Sequence, residues 1–151
     1  MASPAVVRLR AGMQRTGALR PAQLASSGLQ RHGKPIVLDG FATHDYRLQM
    51  HHFKPMLRAT AFLRANARTG DLLLIVGYTD RSPSDSADVH TGLSLMRAIE
   101  VKRFLSEQLE GVSVQLVTIV GPAEKRLTPG RNEAERRRNR RVELDLWRIG
   151  G

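Results

Sequence analysis

Residues 72–78 read LLLIVGY, seven residues in a row without a charge. A strand with one face in water alternates polar and apolar residues, whereas a run apolar on both faces has to lie between neighbours inside a sheet. ARTGD before it breaks a helix, and a long polar stretch, TDRSPSDSADVH, follows it, so the run has the length and the boundaries of one strand. It predicts a central strand around which everything else must be arranged. With 151 residues, the chain can build one domain with a real core on that strand.

The flanking segments supply the remaining elements. PIVLDGF (35–41), bounded by Pro and Gly, predicts a first strand. A helix follows THDYRLQMHHF and runs to about Ala67, with Met56, Thr60, Leu63 and Ala67 on one face and Pro55 in or near its first turn. The loop 79–91 leads to a second helix over 91–109. Ala98, Val101, Leu105 and Leu109 form its buried stripe, Glu100, Lys102, Arg103 and Glu107 its wet face, and Gly111 its stop. VSVQLVTIV predicts a third strand. GPAEKRLTPGRNEAERRRN is a long polar connection, and RVELDLW a closing strand with Val142, Leu144 and Leu146 inward and Glu143, Asp145 and Trp147 outward. The order β-α-β-α-β-β predicts an α+β fold, a two-layer α/β sandwich with its helices on one face of a small mixed sheet. Residues 1–33, basic and rich in small residues, read as a flexible leader lacking the apolar stretch of a secretory signal, and residues 34–151 as the domain.

Composition narrows the chemistry. There is no cysteine, which removes disulfides, thiolate metal sites and a thiol nucleophile. Lys and Arg number 24 against 14 Asp and Glu, a net charge of +10 that favours an anionic partner: nucleic acid, acidic lipid or a polyanionic wall polymer. No window is long and apolar enough for a transmembrane helix. Asp80, Asp85 and Asp88 do not follow the EF-hand spacing. His51 and His52 are adjacent, so on a helix they point about 100° apart and do not easily chelate one metal. Neither a metal nor a cofactor is expected. With no nucleophile elbow and no pair of carboxylates set out as acid and base, the chain reads as a binder and not as an enzyme. The arginine-rich RRRNRR (136–141) suits phosphates, but only 5% of residues are aromatic and no recognition helix or base-stacking platform is evident, so nucleic acid is not the expected partner.

Three motifs in order, VGYTD, LSLMRAIEVKRFL and NRRVELDL, resemble the OmpA-like peptidoglycan-binding domain over roughly residues 35–148. The resemblance implies that Asp80 pairs with the ammonium of the diamino acid in the peptide stem and Arg97 with its α-carboxylate. It implies further contacts at Thr79, His90, Leu93, His44, Asp45 and Arg140. The residue types suit that task, since an amino-acid headgroup needs an acceptor-only anion facing a planar two-pronged donor. Amides at the start of the second helix, near Thr91 to Ser94, are expected to add donors. The chain departs from the family pattern at His90, where an asparagine is common, in the longer SPSDSAD loop, and in ATHD and GPAEK. The implied partner is the peptidoglycan stem, with a larger membrane or phage-tail-like assembly attached through the leader. The implied location is the periplasm, facing the wall. The alternative is a structural docking module with a vestigial site, in the cytoplasm or within an exported particle.

Overall fold

The computed structural model describes residues 28–122 and 125–149. Among these, five strands and three helices follow in order: β1 (Leu29–Arg31), β2 (Ile36–Leu38), α1 (Met50–Asn66), β3 (Asp71–Gly77), α2 (Ala87–Gln108), β4 (Val114–Val120), α3 (Glu133–Asn139) and β5 (Val142–Ile149). The fold is α+β over a mixed sheet. β3 pairs in parallel with β4 through α2 and antiparallel with β5, so the apolar run has a neighbour on each side and all seven of its residues are buried. On the outer edge of β5, β2 pairs with residues 142–144 and β1 with residues 147–149. Between them Gly33 takes φ +80, a left-handed step that suits glycine, and the edge strand is thereby split in two.

Both long helices lie on one face. Met56, Ala59 and Leu63 of α1 and Ala98, Val101 and Leu105 of α2 share a buried cluster with Leu73, Ile75, Leu144 and Leu146. Each fully buried Leu, Ile, Val or Met among them contributes about 1.5–3 kcal/mol, so this layer is a large part of the driving force. The opposite face is also dry: Leu72, Leu74, Val76, Tyr78, Val117, Ile119, Trp147 and Leu29 form a second cluster.

Four expectations change. β5 is not half-buried, because Glu143, Asp145 and Trp147 sit against the second cluster, at most 6% exposed. The two acids reach partners there, Glu143 with Arg141 at 2.8 Å and Asp145 with Arg31 at 3.2 Å. The expected leader gives its last residues to the fold. Leu29 is buried and the Arg31 guanidinium lies 5.2 Å from the Trp147 ring, while residues 1–27 of that expectation lie outside the described residues. The polar connection before β5 contains a helix, α3, capped by the Asn132 side chain on the Glu135 amide. Both long helices begin earlier than the periodicity indicated. Pro55 consequently falls in the second turn of α1, where it leaves the His51 carbonyl without the usual N–H. Ser86 caps α2 through the Val89 amide at 3.2 Å, so the amides of 91–94 lie inside the helix and offer no open donors.

Candidate functional site

The site is assembled where β3 ends. Gly77 closes the strand because the backbone of α2 crosses directly over it: a Cβ there would meet the Ser94 carbonyl oxygen at 1.7 Å. The next residue, Tyr78, is buried, donates its amide to the Arg141 carbonyl, and lies under the Arg141 guanidinium at 3.8 Å. Burial and the nearby Glu143 carboxylate push its phenol well above the usual range. Gly121 packs on the same ring, where a Cβ would come within 2.1 Å of it. The segment Thr79–Ser86 therefore leaves a rigid platform.

Asp80 stands at the start of that segment with its side chain 11% exposed. Its Oδ2 accepts from Arg140 Nη1 at 3.0 Å and its Oδ1 from the Ser82 amide at 3.3 Å. Arg140 is the hub. Its Nε donates to the Phe41 carbonyl at 2.6 Å and its Nη2 to Glu133 on α3, so one guanidinium ties the 39–49 loop, the β3–α2 segment and α3 together. Asn139, fully buried, accepts from the amides of Leu127 and Thr128 and donates to the Thr128 carbonyl, each at 3.0 Å. A cleft of about 690 Å³ opens between these walls, bordered by Asp80, Arg81, Ser82, Arg126, Glu133 and Arg136 among others.

Arg97 is arranged differently from the expected clamp. It is 1% exposed, and its guanidinium donates to three main-chain carbonyls: Asp45 at 2.8 Å, Tyr78 at 3.0 Å and Ala42 at 3.2 Å. The Phe41 ring lies 5.5 Å away. Burial, with the neighbouring Arg140 charge, pushes its pKa down to about 10, so it remains a cation at neutral pH. No hydrogen bond joins it to Asp80. On the buried side of a helix, with Arg140 already taking the aspartate, the acceptors left for it are loop carbonyls.

The other expected contacts divide into a wall and an outer loop. Thr79 and His90 form a pair behind the cleft, Oγ1 to Nδ1 at 3.1 Å, and His90 Nε2 reaches the Ser82 carbonyl at 3.0 Å. His90 thereby holds the 79–86 loop to α2. His44 sits on the exposed 39–49 loop at φ +55 and meets Asp85 at 2.7 Å, so it ties the two loops together. Asp45 turns to Arg47, whose hydrogen bonds lower its pKa to about 2. Leu93 is half-buried on α2 and does not border the cleft. Sequence reasoning passed over Glu133 and Arg81; Glu133 fell in a stretch read as connection, and Arg81 belongs to no motif.

The arginine cluster divides. Arg136, Arg137 and Arg138 end α3 within reach of water, while Arg140 and Arg141 are buried and committed to Asp80, Glu133 and Glu143. They do not form a continuous anion-binding strip. Among the described residues, no group of three potential metal ligands comes together and no helix is long and apolar enough to cross a membrane.

The OmpA family model matches residues 40–141. Comparison with curated proteins finds no match. Among solved structures, the chain is similar to the peptidoglycan-associated lipoprotein from Burkholderia pseudomallei, with 25% identity, a TM-score of 0.61, and coverage of 73% of this chain and 88% of that one. It is similar in fold to the cell wall anchor of the T6SS from Pseudomonas aeruginosa, with 18% identity, a TM-score of 0.58, and coverage of 86% and 93%. The same holds for the periplasmic domain of Helicobacter pylori MotB, with 18% identity, a TM-score of 0.60, and coverage of 78% and 79%.

Proposed function

Because the chain belongs to the OmpA family, we propose that it is a non-catalytic module that holds the peptide stem of peptidoglycan and fastens itself, or an assembly joined to it, to the cell wall from the periplasmic side. The observation that carries this reading is Asp80, an anion at the edge of an open cleft on a rigid platform. A carboxylate offers about four lone-pair positions, and the contacts from Arg140 and Ser82 leave room for a ligand ammonium. Arg140 holds the carboxylate in place, which lowers the ordering cost of binding. The Burkholderia relative, peptidoglycan-associated by name, supports the same direction.

The test is co-sedimentation of the purified protein with sacculi, with a free diamino acid as competitor. Asp80→Asn should lose binding worth about 2–5 kcal/mol, since it removes one charge from a desolvated pair. Unchanged sedimentation of that variant would remove Asp80 from the site. One observation favours a second reading, a docking module with no ligand in the clamp: Arg97 is closed off from the cleft and bound to main chain. In that case the wild-type protein would not sediment with sacculi at all.

A further inference from the structure

We propose that the helix-free face of the sheet is a docking surface, and that its occupant is the chain's own segment 1–27. The face carries a cluster drawn from β1, β3, β4 and β5, with Tyr78 just beyond β3, and none of the three helices contributes to it. One layer of side chains on a sheet shields its own flanks and leaves its outer surface to water. Yet in the single chain every member, from Leu72 at the centre to Leu29 at the edge, is at most 6% exposed. A further layer has to cover them. Arg31 against Trp147 and Arg141 against Tyr78 close only two ends of the face. The face also holds polar atoms that await a cover. Cross-strand register sets Arg31, Trp147, Leu72 and Gln115 in one row, and Asp145, Leu74 and Val117 in the next. Gln115 Oε1, Asp145 Oδ1 and Trp147 Nε1 are buried there, and none finds a hydrogen-bond partner among the described residues. Buried polar atoms are nearly always paired, so two acceptors and one donor call for groups of the opposite kind from whatever lies above them.

Length, point of entry and composition all pick out residues 1–27. The other residues outside the description, 123–124 and 150–151, are too few to roof the cluster. From β1 to β4 is three strand spacings, about 15 Å, and a segment of 27 residues reaches about 40 Å even at a helix's rise. The segment joins the domain at the rim of this face. Leu29 belongs to the cluster, and Gly28 before it takes φ +80, a conformation in which glycine turns a chain without steric cost. The composition is complementary to the surface. Leu9, Met13, Leu19 and Leu24 supply apolar side chains, and the segment carries four arginines with no Asp or Glu. The face it would meet buries two acids, Glu143 and Asp145.

The chain has one tryptophan, Trp147, and no cysteine, so the face carries its own reporter and the segment accepts a label at a single introduced thiol. Ala11→Cys and Thr16→Cys, each made separately in the full chain and bearing a nitroxide, should broaden the NMR signals of the Trp147 indole N–H and of the Leu74 and Val117 amides. Val117 is the stringent case, since β4 is the strand farthest from the junction at Gly28. The amide of Arg58, on the exposed side of α1, should stay sharp. Reducing the nitroxide should restore every signal, and circular dichroism should show both variants folded. Independently of any label, acrylamide should quench Trp147 of the unaltered chain several-fold less than a tryptophan amide in water. Sharp Trp147 and Val117 signals with both labels, or broadening spread evenly over the sheet and α1, would overturn the assignment. So would free quenching of Trp147 in the unaltered chain. Broadening that passes only between a nitroxide-bearing copy and an isotope-labelled one in a mixture would give the face to a second copy, and would overturn it as well.

Discussion

At the scale of single residues, polar side chains in this protein act by what they fasten. His52 is an example. It looked like half of an adjacent histidine pair, yet it is 1% exposed and works as a hydrogen-bonded wedge. Its Nδ1 accepts from the Gln49 amide at 2.9 Å, so the proton sits on Nε2, which donates to the Asp39 carbonyl at 2.7 Å. The ring packs against Phe41 at 4.3 Å. Burial pushes the pKa down to about 4, with the Asp39 carbonyl opposing. The folded value lies below the unfolded one, so the unfolded chain takes up a proton first. Stability from this group is therefore complete above about pH 6.5 and declines as pH falls toward 4, by roughly 2–3 kcal/mol in total. An NMR titration should find His52 neutral at pH 5.5, and a urea midpoint at pH 4.5 should be lower than at pH 7. An inflection near 6.5 would contradict the buried arrangement.

At the scale of elements, the decisive contact is the crossing of α2 over β3. It sets the position of Tyr78, Asp80 and Arg81 relative to α2, and it exists because Gly77 has no side chain. Gly77→Ala puts a methyl group into a backbone carbonyl that cannot turn aside, so it should cost roughly 3 kcal/mol or more, with ligand affinity falling as the platform shifts. Gly92, in the same helix, has nothing within 4 Å of an added Cβ, and Gly92→Ala should be neutral or stabilising by up to about 1 kcal/mol. Thermal melts of the two variants make the comparison, and equal melting temperatures would contradict the close crossing. α3 shows the complementary case. Its sequence, EAERRRN, has no apolar stripe from which a helix could be read, yet Asn132 caps it, and its last residue Asn139 and the following Arg140 tie it to its neighbours.

At the scale of the whole molecule, the fold reaches further back along the chain than its composition suggested. Leu29 is 3% exposed in the cluster on the helix-free face of the sheet, and β1 extends the edge begun by β2. Leu29→Ala in the full chain should cost about 2–4 kcal/mol, measured by denaturant unfolding; a change under about 0.5 kcal/mol would restore the boundary at residue 34. Much of the architecture was legible beforehand. LLLIVGY, the helix stripes around Met56 and Ala98, and the alternation in RVELDL each report a local period, and a local period is a property of sequence. The same holds for the motifs that announced the family. What could not be read was which partner each polar group would find. Arg97 donates to carbonyls of a loop some fifty residues away in sequence. Arg140, expected among the ligand contacts, is the guanidinium that holds Asp80, while Glu143 and Asp145 looked wet and are dry. The sequence by itself determined β2 to β5, the two long helices, their order and the chemical groups available at the end of β3. Only the tertiary structure decided which of those groups are committed to one another and which still face the cleft, because a buried charge takes the nearest acceptor that packing brings to it, and no periodicity encodes that distance.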